Sequence, residues 1–374
     1  MSVVLSNIGQ LDFYQKMFIK VERDIVDVIL HQQRGKERER AIDIMVQLMT
    51  ASRTNSHKVY LKCQLTDEDR KTLEAALDEN SMTEFKKLQK ERIDVDGLIA
   101  KLDIYAVISK SKHCSRVGKE LQINPFEEDT FLLGVPTFLC TENQRDGKFY
   151  QIVCNYYLSQ ERILNMASRY KTWKGGGSDF GNALKNDSIL SDNFIFAIAD
   201  SDKCYPNDKI GKTAKSIKFL GHNRYNADYY ILLNVSEIEN LIPIKLVKKY
   251  NSDIAACLRD SDLSYFDFKE GLKYQILYEK DSRDYWKSNF SRITIDWDEI
   301  IDFAKDKSYS DYCDKVHGKT SLVPGCGKNL LDSLLNDNEW KNIREADFTQ
   351  SQLSEWKEIG KKVFSWTCCS KKKV

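Results

Sequence analysis

The fold is decided by the stretch Phe194-Ile-Phe-Ala-Ile-Ala-Asp200-Ser-Asp202. Its six consecutive apolar residues are typical of a strand that is buried on both faces. Strands of this kind belong to parallel sheets that are covered by helices. Two carboxylates follow at once, where the strand has to end, so we expect them at an edge of the sheet.

Two other apolar runs have the same form, one over residues 137–141 and the other over residues 229–235. Helical patterning separates the runs, for example over residues 147–159. Strands that alternate with helices of about ten residues predict an α/β fold with a parallel sheet. We assign this domain to residues 135–250.

Acidic residues follow all three runs. They are Glu142 after the first, Asp200 and Asp202 after the second, and Glu237 and Glu239 after the third. The carboxyl ends of parallel strands meet at the edge of the sheet where ligands bind, so these side chains are expected to converge. Clustered carboxylates repel one another unless a cation lies among them, and hard oxygen ligands suit Mg²⁺ or Mn²⁺. The alternative is that they are ordinary turn and capping residues.

The regions on either side of residues 135–250 have different sequence patterns. Residues 1–122 are expected to be helical, because apolar residues recur at three- and four-residue steps from Leu11 to Ile29. Capping boxes at Thr66 and Ser81 predict two further helix starts. Prolines and a glycine interrupt residues 123–136, which we interpret as a domain boundary. Residues 251–374 read as a mixed α/β region.

Composition limits the class of protein. The chain has 374 residues, enough for two or three domains, and 41% of them are hydrophobic. A formal net charge of +1 excludes a bulk polyanion binder, so any nucleic-acid contact needs a local patch. The sequence shows neither a signal peptide nor a run long enough for a membrane helix. Together with ten scattered cysteines, this predicts a cytoplasmic protein with reduced thiols.

A local basic patch follows Asp202. Between positions 203 and 218 five lysines stand against the single acid Asp208, and they are Lys203, Lys209, Lys212, Lys215 and Lys218. Beside a metal site, such a patch is suited to hold a nucleic-acid backbone, whereas the alternative is a solvated loop. The segments that begin at Gly211 and Gly318 look like fragments of a phosphate loop, but both lack the earlier glycine that this loop requires.

The sequence from Glu142 to Tyr150 resembles the opening motif of Toprim domains, the topoisomerase–primase fold. It is closest to the version in OLD-like nucleases and related anti-phage effectors, where a strand ends in Glu and an Asp four residues later starts a helix. Here that Asp is Asp146. Ala199-Asp200-Ser-Asp202-Lys203 resembles the Toprim D-x-D motif, and Ser236-Glu-Ile-Glu-Asn240 resembles the later acidic motif of the nuclease branch.

The resemblance covers residues 135–250 and implies a Toprim-like parallel sheet. One departure is Asn143, since the Toprim Glu is usually followed by Gly. Asn is the residue other than Gly that best adopts a left-handed turn, so we expect the backbone requirement to be met.

The resemblance also implies a divalent-metal-dependent nuclease that hydrolyses phosphodiester bonds, as an effector of bacterial anti-phage defence. Asp200 and Asp202 would hold Mg²⁺ or Mn²⁺, with Glu237 or Glu239 completing a first or a second site. Glu142 would share the metal or act as general base toward water.

Two further roles follow from the same resemblance. Lys203 would neutralise charge that develops on the phosphate, the alternative being an exposed lysine after a turn. OLD-like nucleases couple the Toprim domain to an ATPase, so the absence of a phosphate loop implies a separate ATPase subunit as partner. The alternative function is a non-cutting nucleic-acid-binding or regulatory subunit of such a complex.

Overall fold

The structure is a computed structural model that describes residues 17–61, 63–91, 94–127, 137–174, 180–186, 195–218, 230–250, 262–290, 297 and 321–371. Within these residues the chain forms two larger sheets, one five-stranded and one four-stranded, together with helices and two short antiparallel pairs. The α/β class predicted from the alternating runs is confirmed. One apolar core is continuous between the two larger sheets.

The first sheet is built from β1 to β5, in the order β2-β1-β3-β5-β4. All neighbours are parallel except β4, which is antiparallel to β5. In chain order the elements are β1 (Phe18–Val21), α1 (Arg23–His31), α2 (Lys36–Arg53), β2 (Lys58–Leu61), α3 (Asp67–Ala76), α4 (Glu79–Lys90), α5 (Val95–Ala100), β3 (Tyr105–Ile108), β4 (Ser115–Val117) and β5 (Glu120–Ile123).

The prediction of a helical region over residues 1–122 is therefore wrong. The apolar spacing that predicts one long helix up to Ile29 includes strand β1, and α1 begins only at Arg23. Phe18 and Ile19 lie on opposite faces of β1 and are both fully buried, because β1 lies between two strands and is covered on both faces, although Lys20 is partly exposed. A strand of this kind is apolar at nearly every position, so it also satisfies helical spacing. Leu11 lies outside the described residues.

The two capping predictions have different outcomes. Thr66 caps α3 as predicted, because its hydroxyl accepts a hydrogen bond from the Asp69 amide while Asp69 accepts one from the Thr66 amide. The start of α4 is not at Ser81. Asp78 is the N-cap, and its carboxylate accepts a hydrogen bond from the Ser81 amide at 3.0 Å.

The second sheet has the order β10-β9-β6-β8, and all its neighbours are parallel. Its central strands come from the apolar runs, with Leu139 of β6 opposite Phe196 of β9. The elements of this region are β6 (Phe138–Thr141), α6 (Gln144–Gln160), β7 (Met166–Ser168), β8 (Lys171–Lys174), α7 (Phe180–Asn186), β9 (Ile195–Ala199), α8 (Lys212–Lys218), β10 (Tyr230–Leu232), a 3-10 helix (Ile238–Leu241) and α9 (Ile244–Tyr250).

The C-terminal region is mixed, and its longest helix packs against the second sheet's α6. Its elements are β11 (Gly271–Lys273), a 3-10 helix (Tyr274–Leu277), α10 (Lys280–Asn289), β12 (Ser321–Pro324), α11 (Leu330–Leu335), two 3-10 helices (Asn338–Asn342 and Glu345–Asp347), α12 (Gln350–Thr367) and β13 (Cys368–Ser370). Strands β11 and β12 pair with each other, and β13 pairs with β7. Cys368 and Cys369 are thus buried in a strand instead of fraying.

Gly360 sets how closely α12 approaches α6. A Cβ atom at this position would lie 2.5 Å from the Cβ of Tyr157 and 3.1 Å from the carbonyl oxygen of Val153. Both of these atoms are fixed to the backbone of α6, so neither can move without shifting the helix. The absence of a side chain at Gly360 is therefore a packing requirement.

We predict that Gly360→Ala destabilises the protein by about 1–3 kcal/mol, because the added methyl forces the two helices apart. At an exposed helical position the same change would instead stabilise the fold, since Ala has the higher helix propensity. Ser354→Ala, on the exposed face of the same helix, is the matched control and should leave stability within about 0.5 kcal/mol. Urea unfolding measures both, and an unchanged midpoint for Gly360→Ala would contradict the close packing.

Candidate functional site

The order of the second sheet creates a crevice at one of its edges. From β6 the chain continues to β8 on one side, whereas from β9 it continues to β10 on the other side. At such a reversal the connections separate, and ligands of open α/β sheets bind outside the carboxyl ends of the two strands. Glu142 directly follows β6, and Asp200 directly follows β9.

Hydrogen bonds join the segments that follow the strands. Glu142 Oε1 accepts a bond of 3.2 Å from the Asp200 amide. Asp200 Oδ1 in turn accepts a bond of 3.0 Å from the amide of Ile238, at the start of the 3-10 helix. The amides of Ser201 and Asp202 both donate to the carbonyl oxygen of Ser236. The carboxylates after three separate strands are therefore held at one place.

Asp202 has a left-handed backbone, with a φ of 54°. Asp tolerates this conformation better than most residues. Its carboxylate lies against Gly211, where a Cβ atom would come within 2.0 Å of Asp202 Oδ2. The loop after Asp202 thus folds back over its side chain, and α8 begins at the next residue, Lys212.

Asn143 does not need the left-handed turn that we expected of it. Its φ is −129°, which is extended backbone that any residue adopts. Asp146 accepts a hydrogen bond of 2.8 Å from the Asn143 amide and so caps the start of α6. Asp146 is buried, which places a further carboxyl group next to Glu142.

Lys269 contacts the second acidic pair. Its Nζ lies 3.0 Å from Glu237 Oε2 and 3.3 Å from Glu239 Oε2. Glu239 is buried, and neither of its oxygens accepts a hydrogen bond from the described residues. Burial lowers the pKa of Lys269, but the charges of Glu239 and Glu237 outweigh this and hold the pKa above its usual value. The ammonium therefore stays charged.

The carboxyl groups have raised pKa values because they are buried together. Burial raises the pKa of Glu142 to about 7, and the charge of Asp202 acts in the same direction. Burial and then the charge of Glu142 raise the pKa of Asp200 well above its usual range. Burial likewise raises the pKa of Glu237 to about 7 and that of Asp146 to about 6. At neutral pH the cluster favours anything that brings positive charge, either protons or a cation.

The structure brings together most of the residues selected from the sequence. The five carboxylates named as metal ligands converge, and they are Glu142, Asp200, Asp202, Glu237 and Glu239. Lys203 does not join them, because its Nζ donates to the carbonyl oxygen of Pro206 at 3.1 Å. Two other cations contact the cluster: Lys269, which pairs with Glu237 and Glu239, and Arg145, whose Nε lies 4.0 Å from Asp146 Oδ1. No motif marks Lys269 in its own segment.

The lysines of the basic patch lie on the surface, where the structure describes their side chains. Lys209, Lys212 and Lys215 are exposed, and the last two belong to α8, which begins beside Asp202. The side chain of Lys218 lies outside the described residues. The patch is therefore next to the acidic cluster along the chain, and its described ammonium groups face solvent.

The side chains at the crevice decide whether a metal ion fits there. In the described part of the chain, no three acidic, histidine or cysteine side chains stand close enough to hold a metal as they are. The donors are nevertheless hard carboxylate oxygens, and both oxygens of Glu239 are buried without a hydrogen bond from a described residue. Mg²⁺ often takes only one or two protein carboxylates, with water and substrate phosphates as its other ligands. The residues fit such a cation.

Comparisons with protein-family models, with curated proteins and with solved structures find no match to this chain. Across the described residues, none of the helices combines the length and the apolar character that crossing a bilayer requires. All eight described cysteines are free thiols.

We predict that Glu142→Gln weakens the pH dependence of stability in metal-free buffer. The pKa of Glu142 is about 7 in the folded protein against 4.5 for an ordinary Glu. The folded state therefore binds the Glu142 proton more tightly than the unfolded chain does. Protonated Glu142 contributes its full share of folding stability below about pH 4.5, and this share is lost as the pH rises through about 7. Gln keeps the oxygen that accepts from Asp200 but does not ionise, so at about pH 7.5 the variant should be more stable by roughly 1–3 kcal/mol.

Thermal unfolding in EDTA between about pH 4.5 and pH 7.5 measures this effect. The control is Glu358→Gln, which removes an exposed carboxylate on α12 and should leave the profile unchanged. If Glu142→Gln follows the wild-type profile throughout, Glu142 is not ionising in a crowded acidic cluster.

Proposed function

We propose that this protein is a divalent-metal-dependent nuclease with a Toprim-like catalytic domain. The observation that carries the proposal is the gathering of carboxyl groups, most of them partly or fully buried, at the crevice of the second sheet, with the Lys269 ammonium in contact. Packing like charges together costs free energy, so a fold retains such a cluster when a bound cation repays the cost. Defence against phage is the setting that the Toprim resemblance suggests.

Mg²⁺ or Mn²⁺ would be held by Asp200 and Asp202, with water and the substrate phosphate as its other ligands. When bound, such an ion polarises a phosphate and stabilises the oxygen that leaves during phosphodiester hydrolysis. Glu237 and Glu239 form a second acidic pair at the same crevice, and Lys269 offsets part of their charge in the absence of substrate. A phosphate that enters this crevice meets the Lys269 ammonium as a positive group.

Glu142 is suited to accept a proton from water. Without a bound cation its pKa is about 7, and a neighbouring cation would lower that pKa, so Glu142 would be ionised and able to accept a proton at neutral pH. Its Oε1 is fixed by the Asp200 amide, so the carboxylate has a defined orientation. Glu142 would therefore orient and deprotonate the attacking water while the neighbouring carboxylates hold the cation.

The exposed lysines would contact the nucleic-acid backbone. Lys209, Lys212 and Lys215 project from the loop and helix that begin beside Asp202. Phosphate contacts of this kind position a strand without reading its sequence. DNA and RNA both satisfy this geometry, and a separate ATPase subunit remains part of the proposal through the Toprim resemblance alone.

A non-cutting nucleic-acid-binding or regulatory subunit is the second candidate. The observation that favours it is the Lys269 ammonium, which pairs with Glu237 and Glu239 as a bound cation would. If this pairing is permanent, the acidic pair is satisfied without a metal. The two candidates differ in whether divalent ions bind and whether phosphodiester bonds are cut.

We predict that Asp200→Asn abolishes Mn²⁺-dependent cleavage, with a loss of about 100-fold or more. Asn keeps the shape and can still accept from the Ile238 amide, but it removes the charge that holds the cation. Gel assays with plasmid, single-stranded DNA and tRNA measure the loss. The control, Asp43→Asn on the exposed face of α2, should cut at the wild-type rate. Wild-type cutting by Asp200→Asn would reject the site, and an inactive wild type with each divalent ion would favour the non-cutting candidate.

The lysine patch makes a separate prediction. Changing Lys209, Lys212 and Lys215 to Glu should weaken nucleic-acid binding at every sequence and reduce the salt dependence of log K by about 2–3. The control charge reversal is Lys36, Lys71 and Lys90, which are exposed in the N-terminal region. Fluorescence anisotropy over a range of salt concentrations measures both variants. An unchanged slope for the first variant would show that its lysines only face solvent.

A further inference from the structure

A cleft with a volume of about 460 Å³ lies between α6, the Asn338–Asn342 helix and α12. Small-ligand pockets commonly measure roughly 300–1,000 Å³. The cleft is distinct from the acidic cluster, because it lines the second half of α6 whereas the cluster lies before the first residue of that helix. From Gln144 to Tyr156 the helix rises about 18 Å.

Aromatic rings form the walls of the cleft. Trp356 is fully buried, and the Trp340 ring stacks on it with centroids 6.2 Å apart and an interplanar angle of 24°. Tyr156 stands edge-on to Trp356, at 5.5 Å and 87°. Both indole N–H groups already donate, to the carbonyl oxygens of Leu334 and Leu241. Trp356 is completely covered, so the aromatic surface that a ligand can reach belongs to the partly exposed rings of Trp340 and Tyr156.

One polar group without a described hydrogen-bond partner lies beside these rings. The Tyr156 hydroxyl is buried, and no described residue hydrogen-bonds to it. A buried hydroxyl in that state costs free energy unless something else supplies the bond. Side-chain amides of Asn155, Gln160 and Asn336 line the same cleft. They offer donors and acceptors side by side, which suits a ring with both kinds of group on its edge.

Charge around the cleft is nearly balanced. The acidic groups there already have ammonium partners, in the pairs Asp337–Lys249, Asp347–Lys245 and Glu345–Lys357. Lys341 is the remaining charged residue of the lining in the described chain, and it is exposed at the rim. Inside its rim the described lining therefore carries no unpaired charge, which suits a neutral ring.

We propose that this cleft binds a neutral nucleobase, presented as a nucleoside. The flat ring would stack on the aromatic wall, as bases do on Trp and Tyr. The amides of Asn155 and Asn336 and the Tyr156 hydroxyl would bond to its edge. Such a ligand would bridge α6 and α12, and α12 holds the turn that carries Glu239. The inference does not rest on the proposed nuclease activity.

The test uses the full chain in EDTA, titrated by calorimetry with adenosine, guanosine, cytidine and uridine up to about 10 mM. At least one nucleoside should bind, ribose should not, and the matching 5′-monophosphate should bind no more tightly than its nucleoside. Tyr156→Phe removes only the hydroxyl, and Asn336→Ala removes one amide. Each should raise the Kd about tenfold.

Asn342→Ala is the matched control, because Asn342 ends the same 3-10 helix but does not line the cleft. Its Kd should equal that of the wild type. The absence of binding by all four nucleosides would overturn the proposal. Binding that neither Tyr156→Phe nor Asn336→Ala weakens would overturn it as well, since the ligand would then be elsewhere.

Discussion

Repulsion among buried carboxyl groups is the constraint on which the acidic crevice depends. The Asp200 amide donates a hydrogen bond to the Glu142 carboxylate, so moving this carboxylate away from Asp200 costs that bond. The pKa values of Glu142 and Asp200 are raised because burial and the neighbouring negative charge both oppose ionisation, so holding them together as anions costs folding free energy. Lys269 offsets part of it at Glu237 and Glu239. The cluster still has more carboxyl groups than positive charges, and this is the physical reason to expect a bound cation.

Helix α12 keeps this crowded arrangement in place from outside the sheet. Gln352 donates to the carbonyl oxygens of Asn240 and Ile242, and Trp356 donates to that of Leu241. These bonds fix the turn that carries Glu239. Further along, the Ser365 hydroxyl accepts from the Asp103 amide of the N-terminal region. The C-terminal region is thus part of the scaffold of the site, which its mixed sequence pattern does not reveal.

The sequence predicts the central strands of the second sheet because their apolar runs are too short for a helix and each ends in acidic residues, whereas edge strand β8 has no such run. The acidic ends of those strands follow from the same pattern, since parallel strands share a carboxyl edge. The N-terminal sheet is missed because β1 is apolar at nearly every position and so also satisfies helical spacing. Lys269 is missed for another reason. It reaches the cluster through tertiary packing, and no residue type or spacing around it signals that contact.

Anomalous diffraction from crystals soaked in Mn²⁺ tests the need for a cation most directly. A peak bounded by the carboxylates of Glu142 and Asp200 is the expected result, and it should disappear in Asp200→Asn crystals of the same form. If the wild type shows no peak at this crevice in millimolar Mn²⁺, while Lys269 stays paired with Glu237 and Glu239, the cluster does not take a divalent cation. The carboxyl groups would then be neutralised by protons and Lys269 alone.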